Sequence, residues 1–375
     1  MKKRILIFSL VYFPRFVGGA EVALKEITDR LGNEFEFDMI TLRLDPRLPH
    51  VEKIGNVTIY RVGFTFAKSL QKYLFPITGF WEALTLVHQH KYSGMWCMMA
   101  SYHLVAVVLL KILYPNIPLV LTLQEGDPLE YIKKKALPVW PFFKLLFARA
   151  SIVQVISNYL GQFAKDMGAT CPVEIVPNGV DIELFSKETK LVPMKKEKGD
   201  IFLITTSRLT KKNAIDDVIK SLVHLPNNVK FAILGVGELE NDLKALAKKL
   251  QVENRVMFLG FVNNHELPAY LHQADIFIRP SLSEGFGISF VEAMAAGLPV
   301  IATPVGGIVD FLEEGKTGLF CEVRNPKSIA EQVELLINDN KLYRKIIINS
   351  YNMVLQKYTW DIVATEMEKR IFSIL

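Results

Sequence analysis

Cysteine is scarce in this sequence, and its three copies form no pattern. Cys97, Cys171 and Cys321 are far apart and odd in number, and no Cys-x-x-Cys pair or Cys/His cluster occurs. These absences exclude a disulfide scaffold and a structural zinc site, and they predict a reducing compartment, the cytoplasm. No Asp-x-Asp pair occurs either. We therefore expect no metal bound by that motif and no cofactor.

Apolar runs long enough to cross a membrane are also lacking. The run at Leu104–Leu113 is too short to span a bilayer. The N-terminus resembles the start of a signal peptide, because Lys2–Arg4 precede the apolar run Ile5–Phe13. However, Pro14 and Arg15 follow where a small-residue cleavage site would be needed. We expect a soluble protein, at most peripheral on a membrane.

Low complexity and disorder are excluded by the composition. Half of the 375 residues are apolar and 22% are charged, a length and balance that predict two folded domains. Residues 1–180 carry 20 Lys and Arg against 14 Asp and Glu, whereas the remainder carries 24 against 25. This one-sided excess favours an anionic membrane surface or a phosphorylated substrate. Nucleic acid is not expected, since no dense basic stripe with interleaved aromatics occurs.

The apolar pattern predicts two consecutive α/β domains. In the first half, buried strands are predicted at Lys3–Ser9, Phe37–Thr41, Leu119–Leu123, Ile152–Ile156 and Glu174–Val176, and helices at Ser101–Tyr114 and Asn158–Lys165. In the second half, strands are predicted at Ile201–Thr205, Lys230–Leu234, Val256–Leu259, Asp275–Arg279 and Val300–Ala302. Helices are predicted between and after them at Ala214–Leu222, Glu240–Leu250, Glu266–Gln273, Phe290–Ala296 and Ser328–Ile337. Such alternation indicates doubly wound, Rossmann-like parallel sheets.

Turn residues at Pro177–Asp181, followed by the charged stretch Lys187–Asp200, mark the domain boundary. The expected domains are residues 1–180 and 181–357, facing each other across a ligand cleft. The last helix, Asp361–Phe372, lies in residues 358–375. It either ends the second domain or packs back on the first.

The densest chemical signal is the string Arg279–Glu292, which leaves a strand and enters a helix. Its glycines allow a tight turn, so the backbone N–H groups of Gly287, Ile288 and Ser289 would bind an anion at the helix N-terminus. Two carboxylates, Glu284 and Glu292, flank this cradle and suit hydroxyl groups, those of a ribose at Glu292 and of a second polyol at Glu284. The alternative is a helix-capping loop with surface acids.

This string is followed by Ala293–Ala302 and Gly306-Gly307, and together they resemble the retaining, nucleotide-sugar-dependent glycosyltransferases of the GT-B fold. More narrowly, they are similar to the bacterial group 1 family. Further motifs appear in the family's order at Gly18–Glu21, Pro177–Asp181, Ser207–Leu209 and Gly315–Leu319. The resemblance implies a GT-B fold of two Rossmann-like domains, the first binding the acceptor and the second the nucleotide sugar.

The resemblance also implies roles for the donor-side residues. Glu284 would contact the sugar hydroxyls, Glu292 the ribose, and the backbone of Gly287, Ile288 and Ser289 the diphosphate. Arg208 and a following lysine would neutralise the departing diphosphate. The family's lysine position is Asn213 here, so we expect Lys212 to serve, with Lys211 as the alternative. Lysines on a solvated helix start are the plainer interpretation.

Further positions are assigned by the same resemblance. Gly235 would turn beneath the nucleotide, and Phe261 and Val262 would border its base. An ordinary turn and an apolar pair in the core are the alternatives at these positions.

The first domain offers candidates near the acceptor and the donor phosphate. Gly18 and Gly19 form a backbone anion nest at a helix start, unless they are a tight turn only. Many relatives carry a histidine after the Leu119–Leu123 strand, and Gln124 or Glu125 stands there. His103 would either face the cleft or belong to the core.

One segment mixes basic and aromatic residues near the acceptor side. Tyr131–Lys135 and Val139–Lys144 could rest on an anionic membrane or pack as an ordinary loop and helix.

The sequence thus predicts a cytoplasmic hexosyltransferase-type enzyme. It would move a sugar from UDP or GDP to a saccharide or lipid-linked acceptor with retention, in surface polysaccharide or glycolipid synthesis. The alternatives are a sugar-nucleotide epimerase of the same architecture and a non-catalytic sugar-nucleotide-binding protein.

Overall fold

Buried strands alternate with helices along the chain, and they build two separate sheets. The computed structural model describes residues 2–64, 68–187 and 194–375. The chain divides into two compact units: unit 1 runs to Gly179 and resumes over Trp360–Leu375, and unit 2 is Val180–Thr359. Residues 188–193 of the predicted linker Lys187–Asp200 lie outside the described residues.

Unit 1 contains an eight-stranded sheet within the described residues. Its strands are β1 (Lys3–Phe8), β2 (Phe35–Leu42), β3 (Val51–Ile54), β4 (Val57–Val62), β5 (Gly94–Met98), β6 (Leu119–Leu123), β7 (Ile152–Val155) and β8 (Val173–Ile175). Its main helices are α1 (Gly19–Arg30), α2 (Lys68–Gln89), α3 (Leu104–Leu113), α4 (Leu129–Ala136), α5 (Trp140–Arg149) and α6 (Asn158–Asp166).

Unit 2 contains a six-stranded sheet, counted over the same described ranges. Its first helix is α7 (Ile182–Ser186), and its strands are β9 (Ile201–Thr206), β10 (Val229–Leu234), β11 (Val256–Gly260), β12 (Ile276–Arg279), β13 (Val300–Ala302) and β14 (Leu319–Phe320). The remaining helices of this unit are α8 (Ile215–Ser221), α9 (Glu240–Lys249), α10 (Leu267–Leu271), α11 (Ile288–Ala295), α12 (Pro326–Asn338) and α13 (Asn340–Lys357).

The strand orders place a topological switch point in each sheet. Unit 1 has the order β3-β4-β2-β1-β5-β6-β7-β8, and unit 2 has β11-β10-β9-β12-β13-β14. β3 pairs antiparallel with β4, whereas the central strands pair in parallel. The winding reverses between β1 and β5 and between β9 and β12. Ligands of such sheets bind at the carboxyl ends of the strands beside the reversal.

The C-terminal segment completes unit 1. Helix α14 (Trp360–Glu366) and the two helical turns after it bury Trp360 and Phe372 in the unit 1 core. The Phe372 ring lies 5.1 Å from the Trp96 ring and 5.5 Å from the Phe35 ring, measured between centroids. Of the two placements that the sequence left open, the last helix takes the one in the first unit.

Candidate functional site

The loops that follow β9 and β12 meet at the switch point of unit 2. The Arg279 Nη1 group, at the end of β12, donates to the carbonyl of Thr206 at the end of β9 over 3.2 Å. The Leu282 N–H donates to the carbonyl of Lys212 over 2.6 Å. These bonds bring the predicted diphosphate residues and the predicted sugar residues to one edge of one sheet.

A left-handed glycine starts helix α11 at this edge. Gly287 has φ +94°, and a Cβ at this position would lie 2.5 Å from the Phe290 ring. Only glycine therefore allows the chain to turn from the loop into the helix here. The N–H groups of the first helical turn have no partner within the helix and carry the positive end of its dipole. Ile288 and Ser289 lie in this turn, as predicted for an anion cradle.

Glu284 is held by a buried arginine. The Arg279 Nη2 group donates to Glu284 Oε2 over 2.7 Å, and the two side chains are 6% and 14% exposed. Glu284 Oε1 accepts the N–H of Gly285, while its carbonyl accepts the N–H of Gly307. The carboxylate is thus fixed in position, with its charge balanced.

Arg279 is a residue whose role the sequence analysis missed. It also donates to Ser289 Oγ over 2.8 Å and to Ser281 Oγ over 3.2 Å, and it lies 4.3 Å from the centre of the Phe290 ring. Burial lowers the pKa of its guanidinium, and the charge of Glu284 opposes that shift. An arginine that ends an otherwise apolar, buried strand was the signal that could have found it.

Glu292 lies one turn into α11 and is partly exposed. Desolvation raises the pKa of its carboxyl to about 7, and the nearby Arg279 charge acts against this rise. Among the described residues, no side chain or backbone group forms a hydrogen bond or ion pair with this carboxylate. It is therefore available to accept hydrogen bonds from a hydroxyl-bearing ligand.

Arg208 lies on the exposed turn after β9. Its carbonyl accepts the side-chain N–H of Asn213 over 2.6 Å, and Asn213 itself is buried. Asn213 therefore fixes the turn and does not supply a positive charge. The Lys212 carbonyl accepts the N–H of Leu282, and Lys211 is exposed. The choice of Lys212 over Lys211 for the diphosphate stays a prediction.

The Arg208 turn also borders a cavity of about 230 Å³. Gly235, Phe261 and Val262, predicted to lie beneath and beside the nucleotide, line the same cavity. Gly235 approaches the carbonyl of Ser207 so closely that a Cβ would lie 1.9 Å from its oxygen. The Ser207 hydroxyl, which the sequence analysis did not single out, is buried with no hydrogen-bond partner among the described residues.

In unit 1, the loop after β1 leads into α1 at Gly18 and Gly19. The Gly18 N–H donates to Glu21 Oε2 over 2.8 Å, so this N–H is already engaged. A Cβ at Gly19 would meet nothing within 4 Å. The space in front of Gly19 is therefore open to a ligand.

Gln124 and Glu125 follow β6. Gln124 Oε1 accepts the side-chain N–H of Asn178 over 3.0 Å, and Glu125 Oε1 accepts the N–H of Ala100 over 3.1 Å. Glu125 is 8% exposed, and its other carboxylate oxygen has no partner among the described residues. Burial raises the pKa of Glu125 to about 7.

His103 lies in the core of unit 1 and does not face a ligand surface. It is fully buried, its Nε2 contacts the carbonyl of Met99 at 3.0 Å, and its ring packs edge-on against Phe75. Burial lowers its pKa to about 4. The core interpretation of this histidine fits the structure.

Metal-binding and membrane-spanning features were sought in the same residues. Over the described ranges, no three His, Cys, Asp or Glu side chains cluster so as to hold a metal ion. No described helix combines the length and the apolar character needed to cross a bilayer.

Comparison with known proteins identifies this architecture. Anabaena HepE, solved with UDP and glucose, matches with a TM-score of 0.80 at 20% identity, over 98% of this chain and 99% of that one. A sucrose-phosphate synthase from Thermosynechococcus elongatus matches with a TM-score of 0.85 at 19% identity, over 100% and 99% of the two chains. These likenesses confirm the predicted GT-B fold class.

Family and sequence matches narrow the class. The family model for group 1 glycosyl transferases matches residues 186–353, and that for glycosyltransferase family 4 matches residues 17–184. An uncharacterised glycosyltransferase of Methanocaldococcus jannaschii is 28% identical over 97% of this chain and 96% of its own length. The protein belongs to the group 1 glycosyltransferases and is a glycosyltransferase enzyme.

Proposed function

We propose that the protein transfers a sugar from a nucleoside diphosphate, UDP or GDP, to an acceptor hydroxyl with retention of configuration. The donor assignment rests on one observation: four groups lie at the same edge of the unit 2 sheet. These groups are the α11 N-terminus, the fixed Glu284 carboxylate, the unpartnered Glu292 carboxylate and Arg208. Bound UDP and glucose in the HepE structure support the same donor chemistry.

Each of these groups suits one part of the donor. The first turn of α11 would bind the diphosphate, Glu292 the ribose hydroxyls and Glu284 the sugar hydroxyls. Arg208 and Lys212 would balance the charge that the diphosphate gains as it leaves. Phe261 and Val262 would border the base, and no metal ion is assigned to this step.

For retention, the acceptor oxygen must bond to the anomeric carbon on the same face of the sugar from which the diphosphate departs. We propose a front-face reaction: the bond from the anomeric carbon to the diphosphate breaks, the acceptor oxygen bonds to that carbon, and the hydroxyl proton passes to the diphosphate. The Glu284 carboxylate is neutralised by Arg279, which suits a hydrogen-bond acceptor better than a nucleophile.

The acceptor would bind to unit 1, near Gly19, Gln124 and Glu125. We place the reaction in the cytoplasm, because Cys97, Cys171 and Cys321 are free thiols, as in proteins of reducing compartments. Surface polysaccharide or glycolipid synthesis is the proposed pathway class, with a saccharide or lipid-linked acceptor.

Nucleotide release from UDP-glucose and GDP-mannose, followed by proton NMR of the first sugar product, tests this proposal. We expect release of one nucleotide and first appearance of the anomer with the donor's configuration. Arg208→Ala should lower kcat by about 100- to 1000-fold. Arg344→Ala, an exposed arginine of α13, is the matched control and should leave kcat unchanged. An inverted first product would contradict the front-face reaction.

A further inference from the structure

Helix α2 presents an apolar face on its outer side. Leu70, Tyr73, Ile77 and Trp81 are 53%, 58%, 59% and 63% exposed, and their spacing of three and four residues places them on one stripe. The opposite side of the helix is buried through residues such as Phe75 and Leu86. The outer side of a surface helix ordinarily carries charged and polar residues.

Helix α9 of unit 2 shows that ordinary pattern. Its exposed positions include Asp242, Lys244, Lys248 and Lys249, while Leu243 and Ala247 are buried. The outer side of α2 departs from this ordinary pattern. Four large apolar side chains exposed in a row mark an interaction surface.

A cluster of aromatic and basic residues lies at the N-terminal end of this stripe. The Lys72 ammonium lies 5.1 Å from the ring centre of Tyr73 and 5.4 Å from that of Tyr102, and the two rings are 5.4 Å apart. On α4, Lys135 lies 4.4 Å from the Tyr131 ring centre and also interacts electrostatically with Tyr102. Tyr102 thus connects α2 to α4 across the loop that follows β5.

The charge of this region matches an anionic partner. Residues 68–149 contain nine Lys and Arg against four Asp and Glu, a balance equal to the net +5 of the whole chain. Each lysine or arginine near a negatively charged lipid surface contributes about 1 kcal/mol to binding. Trp and Tyr prefer the boundary between lipid and water, where an amphipathic helix lies with its apolar side embedded.

We propose that the outer face of α2, with Lys72 and Lys135 at its end, docks this enzyme on an anionic lipid bilayer. Helix α2 lies along the surface without crossing the bilayer. Tyr102 follows β5, one of the two strands at the switch point of unit 1. Docking therefore places the sheet edge that contains Glu125 next to the lipid surface. This orientation rests on the proposed function, because it suits a lipid-linked acceptor. Docking on the bilayer does not itself depend on which sugar donor the enzyme uses.

Co-sedimentation of the full chain with vesicles tests the surface. We expect binding to phosphatidylglycerol/phosphatidylcholine vesicles that weakens in high salt, and little binding to pure phosphatidylcholine. Ile77→Ser/Trp81→Ser should reduce the partition coefficient by at least about tenfold. Lys72→Ala and Lys135→Ala should each reduce it by about fivefold. Ile348→Ser, 59% exposed on α13, and Lys345→Ala on the same helix are matched controls and should bind as the unmodified chain does.

Three results would overturn the proposal. The first is no binding to anionic vesicles at low ionic strength, and the second is equal loss in the α13 controls. The third is a monomer–dimer equilibrium in sedimentation that the α2 variants abolish, because the stripe would then cover a second copy of the chain. Nucleotide release without vesicles reports on the donor site separately, so failure of docking and failure of the proposed function are distinguishable.

Discussion

At the scale of single residues, the proposed donor site depends on the buried guanidinium of Arg279. Arg279 connects β9, the Glu284 carboxylate and the start of α11 through three hydrogen bonds, and a fourth reaches Ser281. Breaking a buried ion pair leaves an uncompensated charge and costs about 3–5 kcal/mol, whereas removing both partners costs less. The free energy of unfolding and the activity should therefore respond differently to single and paired substitutions.

Arg279→Met should destabilise unit 2 by about 3–5 kcal/mol. The double variant Arg279→Met/Glu284→Gln should recover part of that loss, measured by urea denaturation, yet remain at least about tenfold low in kcat. Arg279→Lys retains the charge without the forked geometry and should be intermediate in both measurements. Full activity in the double variant would show that the pair has a structural role only.

Glu125 predicts a pH dependence of stability. Because its pKa is raised to about 7 in the folded protein, the folded state favours the protonated carboxyl. Its contribution is then largest below the ordinary pKa of 4.5, which the unfolded chain has, and is lost as pH rises towards 7. The unfolding free energy of Glu125→Gln, relative to the unmodified chain, should therefore increase by on the order of 3 kcal/mol between pH 4.5 and 7.5.

Glu130→Gln is the matched control for this pH series, since the Glu130 side chain is 87% exposed. Its difference from the unmodified chain should change less with pH than that of Glu125→Gln. A flat curve for Glu125→Gln would contradict the raised pKa.

At the scale of elements, the loop before α1 is predicted to let a phosphate approach the backbone. Since a Cβ at Gly19 meets no atom within 4 Å, Gly19→Ala should keep or raise stability by a few tenths of a kcal/mol. Transferase activity should nevertheless fall by about tenfold or more, because the methyl group would occupy the ligand's space. Gly161→Ala in α6, where a Cβ makes ordinary contact with Val155, is the control. Unchanged activity in Gly19→Ala would remove this loop from the site.

Sequence patterns predicted most strands of both sheets but missed β5 at the centre of the unit 1 sheet and the β3–β4 hairpin at its edge. β6 and β13 have the bounds that their apolar runs predict, because strands buried on both faces are continuously apolar. β3 alternates between exposed and half-buried residues, so the pattern of a buried strand is absent. The Gly55-Asn56 turn that joins it to β4 was the signal for this hairpin.

The sequence indicated most residues of the candidate site but not the contacts between them. Motif order located Glu284, Glu292 and Arg208, since Arg208 follows a recognisable strand and the two glutamates stand in the string that leads from a strand into a helix. The bond from Arg279 to Glu284 depends on a side chain turning back along its own loop, and the burial of His103 depends on how α2 packs over α3. Neither is encoded in spacing along the chain.

At the scale of the whole molecule, unit 1 is completed by the last sixteen residues, Trp360–Leu375. Phe372 is buried among Phe35, Phe37 and Trp96. Phe372→Ala should cost about 3–5 kcal/mol and should lower hydrogen-exchange protection in unit 1 before unit 2. Ile374→Ala, at a 41% exposed position, should change stability by less than about 0.5 kcal/mol. Equal loss of protection in both units would contradict the assignment of this segment to unit 1.

The central claim is that unit 2 binds a nucleoside diphosphate with Glu292 on the ribose and Glu284 on the sugar. Calorimetric titration of the full chain with UDP, GDP, ADP and CMP tests it most directly. We predict that UDP or GDP binds, and that Glu292→Ala weakens that binding by about 1–3 kcal/mol, the cost of unpaired polar groups. Glu284→Ala should bind the free nucleotide as the unmodified chain does. Binding of none of the four by the folded protein, or equal weakening in both variants, would contradict the account.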